Sequence, residues 1–333
     1  MVNSSTLSLS VTAEKWPIAS DFRISRGSKS EAAVVVAELS DGGKRGRGEC
    51  VPYARYGESV DSTIAALEAM RGALASGLTR ETLQSAMPPG AARNALDCAF
   101  WDLEAKRAGQ PVHRLIGGMA PRALVTAYTI SLGAADAMGD AAAKEAKRPL
   151  LKIKLGGGDG QDPARIAAVR KAAPKAKLIV DANEGWSPSD LAGHLEACAD
   201  AAVALIEQPL PADNDAALAT IEHRAPICAD ESVHDRASLS TLGSRYDAIN
   251  IKLGKTGGLT EALAMADEAR RLKLDIMVGC MVATSLSMAP AVFVAQRAAF
   301  VDLDGPLLLA RDRTPGLQYD GSLILPPPAA LWG

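Results

Sequence analysis

From residue 124 onward, the chain repeats one unit: a short apolar or β-branched run, a loop containing Gly, Asp or Pro, and an Ala-rich helical stretch. The apolar runs occupy 124–132, 150–156, 178–183, 203–209, 226–231, 248–254, 275–280 and 300–306. Helical periodicity is found between them, at 162–173, 188–201, 213–224, 235–243 and 258–272. Alternating strands and helices predict right-handed βαβ units and a parallel sheet. Eight strands favour a closed barrel over an open doubly wound sheet, because no Gly-x-Gly-x-x-Gly follows the first run.

The first 120 residues follow a different pattern. Residues 31–50 read as two strands joined by an Asp-Gly-Gly turn, which predicts a β-hairpin, and mainly helical stretches follow it. The final segment is strand-like and rich in Pro, so we do not expect it to continue the barrel. We therefore predict an α+β domain over 1–120, completed by residues 312–333, and a barrel over 121–311.

Composition excludes several classes of partner. The chain has 333 residues, 48% hydrophobic, and its net charge of −3 gives no reason to expect a nucleic-acid or anionic-membrane partner. No run is long enough to span a membrane, and the N-terminal residues lack the pattern of a secretory signal. Five scattered cysteines without a Cys-x-x-Cys pair indicate reduced thiols. We expect a cytoplasmic protein that acts on a small molecule, with a homo-oligomer left open.

Three of the apolar runs end in an acid, at Asp181, Glu207 and Asp230. These acids are 26 and 23 residues apart, or one βα unit each, so they fall at the same end of neighbouring strands. Active sites of parallel barrels form at the C-terminal ends of the strands. Three carboxylates converging there suit a hard cation, and Mg²⁺ leaves room for water or substrate oxygens. The sequence therefore predicts a Mg²⁺ site at the barrel mouth.

Lysines flank these acids along the sequence of strands. Lys152 and Lys154 share one face of the preceding strand, and Lys252 ends the following one. This arrangement suits removal of a proton next to a carboxylate, with the metal stabilising the enediolate and a lysine taking the proton. Lys152 would help to lower the pKa of Lys154, and the lysine opposite would return the proton from the other face. On the final strand, Asp302 and Asp304 could hold a substrate amine.

The residues resemble the enolase superfamily, specifically its muconate-lactonizing subgroup. The match runs through "KIK", "DAN", "IEQP", "ADES", "NIKLGKTGG" and "DLDGP". The Asp-x-Asp of the last strand, with "WPIASDFRISRGSKSEA" and "ECVPYARYGES" near the start, looks like the L-Ala-D/L-Glu (dipeptide) epimerases. The resemblance implies an α/β fold, a modified (β/α)7β TIM-like barrel with an α+β capping domain. It also implies a Mg²⁺-dependent isomerase that inverts the α-carbon of the C-terminal residue of a dipeptide, in murein peptide recycling.

The resemblance also implies roles for individual residues. One Mg²⁺ per subunit would be bound by Asp181, Glu207 and Asp230, with Lys154 and Lys252 as the two acid/base catalysts.

The substrate would be held by a second set of residues. Lys152 would contact its carboxylate, Thr129 would lie close to it, and Arg26 on a capping loop would meet the γ-carboxylate of a glutamyl residue, with Arg23 as a nearby competitor. The α-ammonium group would be held by Asp302 and Asp304. Asn183 and Glu231 would orient the metal-binding residues without binding the metal themselves.

Other interpretations of the same residues stay open. The acids could cap helices or form loop salt bridges, Lys152 could be solvated at a strand edge, and Asp302 could cap a turn. Within the subgroup, the rivals are an N-acylamino acid racemase, an o-succinylbenzoate synthase, a cycloisomerase, or a dipeptide epimerase with another side-chain preference. Outside it, the rivals are a lysine Schiff-base aldolase and a non-catalytic metal-binding barrel.

Overall fold

The computed structural model describes residues 7–333, which begin with a three-stranded antiparallel sheet. Its strands are β1 (Ser8–Ile24), β2 (Gly27–Asp41) and β3 (Lys44–Cys50). A 3₁₀ turn at Ala54–Tyr56 leads into five helices: α1 (Val60–Glu68), α2 (Arg71–Ala75), α3 (Arg80–Ala86), α4 (Ala91–Ala108) and α5 (Val112–Leu115). Capping boxes at Ser59 and Thr79 begin α1 and α3. The predicted hairpin is β2 and β3, paired from Asp41 and Lys44 outward.

The predicted barrel is confirmed. After the short strand β4 (Leu124–Val125), eight parallel strands follow: β5 (Tyr128–Ile130), β6 (Leu150–Lys154), β7 (Lys177–Asp181), β8 (Leu205–Glu207), β9 (Ile227–Ala229), β10 (Ala248–Ile251), β11 (Asp275–Gly279) and β12 (Phe300–Asp302). They pair in sequence order from β5 to β12. The backbone N–H of Ala127, just before β5, donates to the carbonyl of Val301 in β12 at 2.8 Å. This bond joins the first strand to the last.

Helices separate the barrel strands, with one departure from the predicted pattern. They are α6 (Ala135–Lys144), α7 (Asp162–Ala172), α8 (Leu191–Asp200), α9 (Arg236–Leu242), α10 (Leu253–Thr256), α11 (Leu259–Arg271) and α12 (Ser285–Ala295). The helix predicted at 213–224 is wrong, since only a 3₁₀ turn, Ala216–Ala219, forms there. The Asp215 carboxylate before this turn accepts hydrogen bonds from Ser232 and Tyr246, so the segment is tied to its neighbours.

Alternation along the strands divides the barrel interior into layers. One buried layer is apolar: Ala127, Leu150, Ile179, Leu205, Cys228, Ala248, Met277 and Phe300. Side chains two residues further along a strand point to the same face, and there the chain carries charged or polar groups such as Lys152, Asp181 and Glu207. The apolar layer thus closes the barrel beneath a layer of polar side chains.

The C-terminal segment returns to the N-terminal elements. A short antiparallel sheet joins β13 (Tyr319–Asp320) and β14 (Leu323–Ile324) to β4, and a 3₁₀ turn, Gly305–Leu308, precedes it. The Trp332 indole N–H donates to the carbonyls of Arg47 in β3 and Cys98 in α4. The division into domains at 1–120, 121–311 and 312–333 stays a prediction. Within residues 7–333, no helix is long and apolar enough to cross a membrane.

Glycines in β3 allow α4 to lie directly against the sheet. A Cβ at Gly48 would stand 2.0 Å from the carbonyl oxygen of Ala95, so we expect Gly48→Ala to lower the free energy of unfolding by about 1–3 kcal/mol. Gly72→Ala, in α2 with open space around it, is the matched control and should be neutral or stabilising. Urea denaturation measures both changes. Equal stability of the two variants would contradict the close approach.

Candidate active site

Strand register brings the predicted residues to one end of the barrel. Lys154 pairs with Asp181 between β6 and β7, and Asp181 pairs with Glu207 between β7 and β8. Asp230 directly follows β9, and Lys252 directly follows β10. The carboxylates of the three acids are buried, so this end of the barrel carries charges that are shielded from water.

Lys152 lies at the centre of this charge cluster. Its Nζ is 2.6 Å from Glu207 Oε2, 2.7 Å from Asp302 Oδ2 and 3.1 Å from Asp181 Oδ2. Burial lowers its pKa, but the three carboxylates outweigh burial and hold that pKa well above its ordinary value. Lys152 is therefore a fixed cation rather than a solvated residue at a strand edge.

The two predicted acid/base lysines lie on strands four positions apart, on opposite sides of an eight-stranded barrel. Lys154 donates to Asp181 Oδ2 at 2.6 Å, and Lys252 donates to Asp230 Oδ2 at 2.5 Å. Burial opposes the charge of Lys252, but Asp230 and Glu207 keep its pKa well above the ordinary value. Both lysines line one cavity of about 630 Å³. A substrate in this cavity would have an amino group on each side.

Asp302 and Asp304 line the same cavity, but they do not share a strand face as predicted. Strand β12 ends at Asp302, and Asp304 lies in the turn that precedes the 3₁₀ segment, because Gly305 and Pro306 end the strand pattern. Asp304 accepts a hydrogen bond from the backbone N–H of Thr129 at 2.7 Å. Burial, with the nearby Asp302 charge, raises the pKa of Asp304 to about 7. Asp302 is also close to the predicted metal ligands, because Lys152 pairs with Asp302 as well as with Asp181 and Glu207.

The tip of the β1–β2 hairpin reaches over the barrel mouth. The Arg26 guanidinium donates to the carbonyl of Asn183 at 2.9 Å, to Glu231 Oε1 at 2.6 Å and to the Tyr53 hydroxyl at 2.9 Å. Asn183 in turn donates its backbone N–H to Asp181 Oδ1 at 2.9 Å. These contacts link the hairpin to the acids of the barrel.

Arg23, the alternative candidate for the role of Arg26, does not line the cavity that contains Lys154 and Lys252. It lines a separate surface cavity with Gly133 and Arg165, away from Lys154 and Lys252. Of the two arginines, only Arg26 borders the cavity that holds the predicted catalytic residues.

Two family models match the chain. "Mandelate racemase / muconate lactonizing enzyme, N-terminal domain" matches residues 6–117, and "Enolase C-terminal domain-like" matches residues 137–327. The chain belongs to the enolase superfamily. The antiparallel sheet with its helices is thus the N-terminal part that this superfamily places before the barrel.

Among proteins of known function, this superfamily member is similar to isomerases. It is 50% identical to L-Ala-D/L-Glu epimerase of Escherichia coli K12 over 311 residues, which cover 93% of this chain and 96% of that protein. It is 42% identical to N-acetyl-D-glutamate racemase of a Pseudoalteromonas species over 303 residues, covering 90% and 95% of the two chains. Both relatives are named for inversion at a glutamyl residue.

Solved structures agree with this assignment. An enolase family member from Agrobacterium tumefaciens with homology to dipeptide epimerases, containing sodium and L-Ala-L-Glu, superposes with a TM-score of 0.96 at 57% identity, covering 98% of this chain and all of that one. The dipeptide epimerase of Enterococcus faecalis V583, complexed with Mg and L-Leu-L-Tyr, superposes with a TM-score of 0.89 at 29% identity, covering 96% of each chain.

The buried acids fit a cation by their charge. Six buried carboxyl groups face four buried ammonium groups and the Arg26 guanidinium: Asp181, Glu207, Asp230, Glu231, Asp302 and Asp304 against Lys152, Lys154, Lys252 and Lys255. Among residues 7–333, no group donates a well-aligned hydrogen bond to Glu207 Oε2, although the Lys152 ammonium is 2.6 Å away. Burial and the neighbouring Asp181 charge raise the pKa of Glu207 to about 7. The excess of carboxylates and the unsatisfied oxygen suit a hard cation.

The acids are paired with lysines in this structure. Within residues 7–333, no three His, Cys, Asp or Glu side chains already stand in a metal-binding arrangement. The donor set matches a hard cation by its chemistry and by its place at the strand ends, but Asp181 and Asp230 have the ammonium groups of Lys154 and Lys252 as their neighbours.

Two buried residues of the site were missed from the sequence. Lys255 Nζ lies 2.5 Å from Asp230 Oδ1 and donates to the carbonyl of Asn250 at 3.1 Å. Asn250 donates its side-chain amide to Glu207 Oε1 at 2.8 Å. Asn250 could have been found, because it stands two residues before Lys252 and so shares its strand face. Lys255 carries no such signal, because it is in the short helix α10.

Removing the Lys255 ammonium leaves the buried Asp230 carboxylate with one lysine fewer. We expect Lys255→Met to lower the free energy of unfolding by about 3 kcal/mol, measured by urea denaturation without added metal. Burial favours the neutral form of Asp230, but Lys252 and Lys255 outweigh burial and hold its pKa well below the ordinary value. This carboxylate therefore stabilises the fold above about pH 4, and the contribution is lost as pH falls. The variant should therefore unfold at a higher pH than the wild type in an acid titration.

Lys171→Met, at an exposed position of α7, is the control and should leave both measurements unchanged. A Lys255→Met protein as stable as this control would contradict the pairing with Asp230.

Proposed function

We propose that the protein is a Mg²⁺-dependent dipeptide epimerase that inverts the α-carbon of the C-terminal residue of L-Ala-L-Glu and L-Ala-D-Glu. The observation that carries this proposal is the position of Lys154 and Lys252, on opposite sides of one cavity with the carboxylates of β7 to β9 between them. A single base could only exchange a proton on one face. Two bases on opposite faces can invert a carbon centre.

The proton transfer uses the two lysines in turn. One lysine, in its neutral form, removes the α-proton from its own face of the substrate. For Lys252 this requires that the negative charges of Asp230 and Glu207, which hold its pKa high here, be offset by the cation that these acids would bind. The other, in its ammonium form, delivers a proton to the opposite face, so the configuration is inverted and the two amino groups exchange protonation states. Reaction in the reverse direction exchanges their roles. Mg²⁺, held by Asp181, Glu207 and Asp230, would supply positive charge next to the substrate carboxylate as the α-proton leaves.

Residues in and next to the cavity would orient the dipeptide. Lys152, a buried cation paired with Asp302 of the cavity wall, would contact the substrate carboxylate, and Thr129 lines the cavity. Asp302 and Asp304 would hold the α-ammonium group: Asp302 Oδ1 is buried without a hydrogen-bond partner among the described residues. A bound ammonium would offset the cost of burying two adjacent carboxyl groups.

The remaining predicted residues, Asn183 and Glu231, would hold other residues of the site in position. Asn183 holds Asp181 through its backbone N–H, and Glu231 anchors Arg26. Arg26 stays the sequence-based candidate for contact with a substrate side chain. We further propose that the enzyme acts in the cytoplasm on peptides released from the cell wall, a role that rests on the resemblance to the L-Ala-D/L-Glu epimerases.

N-acylamino acid racemisation is the second candidate. The 42% identity to N-acetyl-D-glutamate racemase favours it, because that reaction needs the same two bases and a glutamyl residue. An N-acyl substrate carries no ammonium group, so it would leave Asp302 with Lys152 alone and would bring no cation to Asp304 or to the unpaired Oδ1 of Asp302. The two acids therefore favour a substrate with a free amine.

The two-base reaction has a direct measurement. Proton NMR in D₂O should show loss of the Glu α-proton signal of L-Ala-L-Glu and growth of L-Ala-D-Glu, with Mg²⁺ and not with EDTA. We expect Lys154→Ala and Lys252→Ala each to slow epimerisation by about 10²–10⁴-fold, since each removes one of the two proton carriers.

Lys144→Ala, exposed on α6, serves as the control and should keep full activity. Epimerisation at the wild-type rate in either site variant would refute the two-base proposal. Faster racemisation of N-acetylglutamate than of Ala-Glu by the wild type would transfer the proposal to the second candidate.

Metal binding can be tested without turnover. We expect Mg²⁺ to stabilise the folded protein by about 2.7 kcal/mol at a concentration one hundred times its Kd, seen as a rise in Tm. Glu207→Gln should abolish that rise, because it removes the charge of one ligand while its amide oxygen can still accept from Asn250. Glu222→Gln, exposed and outside the barrel mouth, should leave the rise intact. A Mg²⁺-dependent rise in the Glu207 variant equal to that of the wild type would contradict this site.

A further inference from the structure

Gln208 directly follows Glu207, the predicted metal ligand that ends β8. The ladder between β8 and β9 has its last paired residues at Glu207 and Cys228, and the backbone N–H of Gln208 donates to the Cys228 carbonyl at 2.9 Å. In a parallel ladder, the next bond would run from the N–H of Asp230 to the carbonyl of Gln208. Here a side-chain oxygen takes the place of that carbonyl.

The Gln208 backbone turns its carbonyl away from β9. Its φ is +35°, a left-handed conformation that residues other than glycine rarely adopt. The carbonyl instead accepts from the N–H of Glu184, in the loop that follows β7, at 2.9 Å. The side-chain Oε1 accepts from the N–H of Asp230 at 2.8 Å and from the N–H of Ser232 at 3.1 Å. One residue thus binds the loops on both sides of its strand.

The amide nitrogen fixes the orientation of this side chain. Nε2 lies 2.9 Å from the Leu210 carbonyl oxygen, 2.8 Å from the Ser232 hydroxyl and 2.9 Å from the Tyr246 hydroxyl. Because the Leu210 carbonyl can only accept and the N–H of Asp230 can only donate, the amide fits in one orientation. Gln208 is completely buried, so water does not compete for these bonds.

These bonds connect the ends of the three strands that carry the predicted metal ligands. The loop after Asp181 is held by two carbonyls of the next strand end, since Ala182 donates to Glu207 at 3.1 Å and Glu184 donates to Gln208. Asp230, beyond the last paired residue of β9, is held by the Gln208 side chain. Mg²⁺ requires near-ideal octahedral geometry at short distances, so a shift of one carboxylate weakens its binding.

We infer that Gln208 is a positioning residue for the metal site, whose side-chain oxygen extends the ladder by one bond and holds Asp230 level with Glu207. The residue acts through the backbone of Asp230 and has its own polar atoms occupied by protein groups. This inference rests on the Mg²⁺ site of the proposed function and not on the choice of substrate.

The test measures Mg²⁺ affinity without turnover. The Tm is followed against Mg²⁺ concentration, which gives a Kd, for the wild type and for Gln208→Met, which keeps the side-chain length and removes the amide. We expect the variant to bind Mg²⁺ about 10–100-fold more weakly, the range for loss of a group that orients a metal ligand. Gln208→Asn, whose amide is one methylene too short to reach Asp230, should show the same rise in Kd and tests the inference if the Met variant does not fold.

Two matched controls separate positioning from stability. Tyr246→Phe removes one contact from the nitrogen end of the same amide, but the bonds of Oε1 to Asp230 and Ser232 stay in place. Gly48→Ala lowers stability at the contact between β3 and α4. Both controls should lower the Tm and leave the Mg²⁺ Kd within about twofold of the wild type, because their effects are independent of the metal site.

A wild-type Mg²⁺ Kd in the Gln208 variants would overturn the inference. A rise in either control as large as theirs would overturn it too, because loss of stability alone would then explain the result. Epimerisation of L-Ala-L-Glu is assayed in parallel. A wild type that binds Mg²⁺ without epimerising would refute the proposed function and leave the Gln208 result valid. A wild type whose Tm does not respond to Mg²⁺ would refute the metal site and this inference with it.

Discussion

The architecture of the active site depends on a buried cluster of charges held inside a closed barrel. Lys152 lies among the carboxylates of Asp181, Glu207 and Asp302, and none of the four groups is open to bulk water. Removing such groups from water costs several kcal/mol for each ion, so the cluster persists only because each charge has partners at hydrogen-bond distance. The parallel strands supply those partners by register: they end at the same level and point alternate side chains inward.

The same alternation explains why a charged site can sit in the middle of a stable protein. One inward layer is apolar and closes the barrel, and the next layer along the strands carries the acids and lysines. The capping elements then cover the open side, where Arg26 and Arg55 bind acids of the barrel loops. The apolar layer thus keeps the barrel closed, and the next layer carries the groups that do the chemistry. Substitutions in the polar layer can change the chemistry while the apolar packing stays in place.

Much of the fold and site could be predicted because both follow from strand periodicity. Eight apolar runs became eight strands, and acids or lysines at their ends came together at the barrel mouth. The errors have a common origin in short loops and turns. The segment 213–224 forms only a 3₁₀ turn, and Asp304 falls beyond its strand, because local side-chain hydrogen bonds and a Gly-Pro step outweigh periodicity there. Lys255 was missed for a related reason, since it acts from a helix that begins directly after the strand.

The sequence by itself determined the barrel, the strand-end acids and the lysines on either side of them, because these features follow from the spacing of apolar and charged residues along the chain. Tertiary structure alone decided which charges neutralise one another. Lys152 of β6 pairs with Asp302 of β12, 150 residues later in the chain, and Arg26 pairs with Glu231 and Glu184. Pairing depends on distances of a few ångströms between residues more than 100 positions apart. No local pattern encodes those distances, so only the folded chain shows which cations and carboxylates pair.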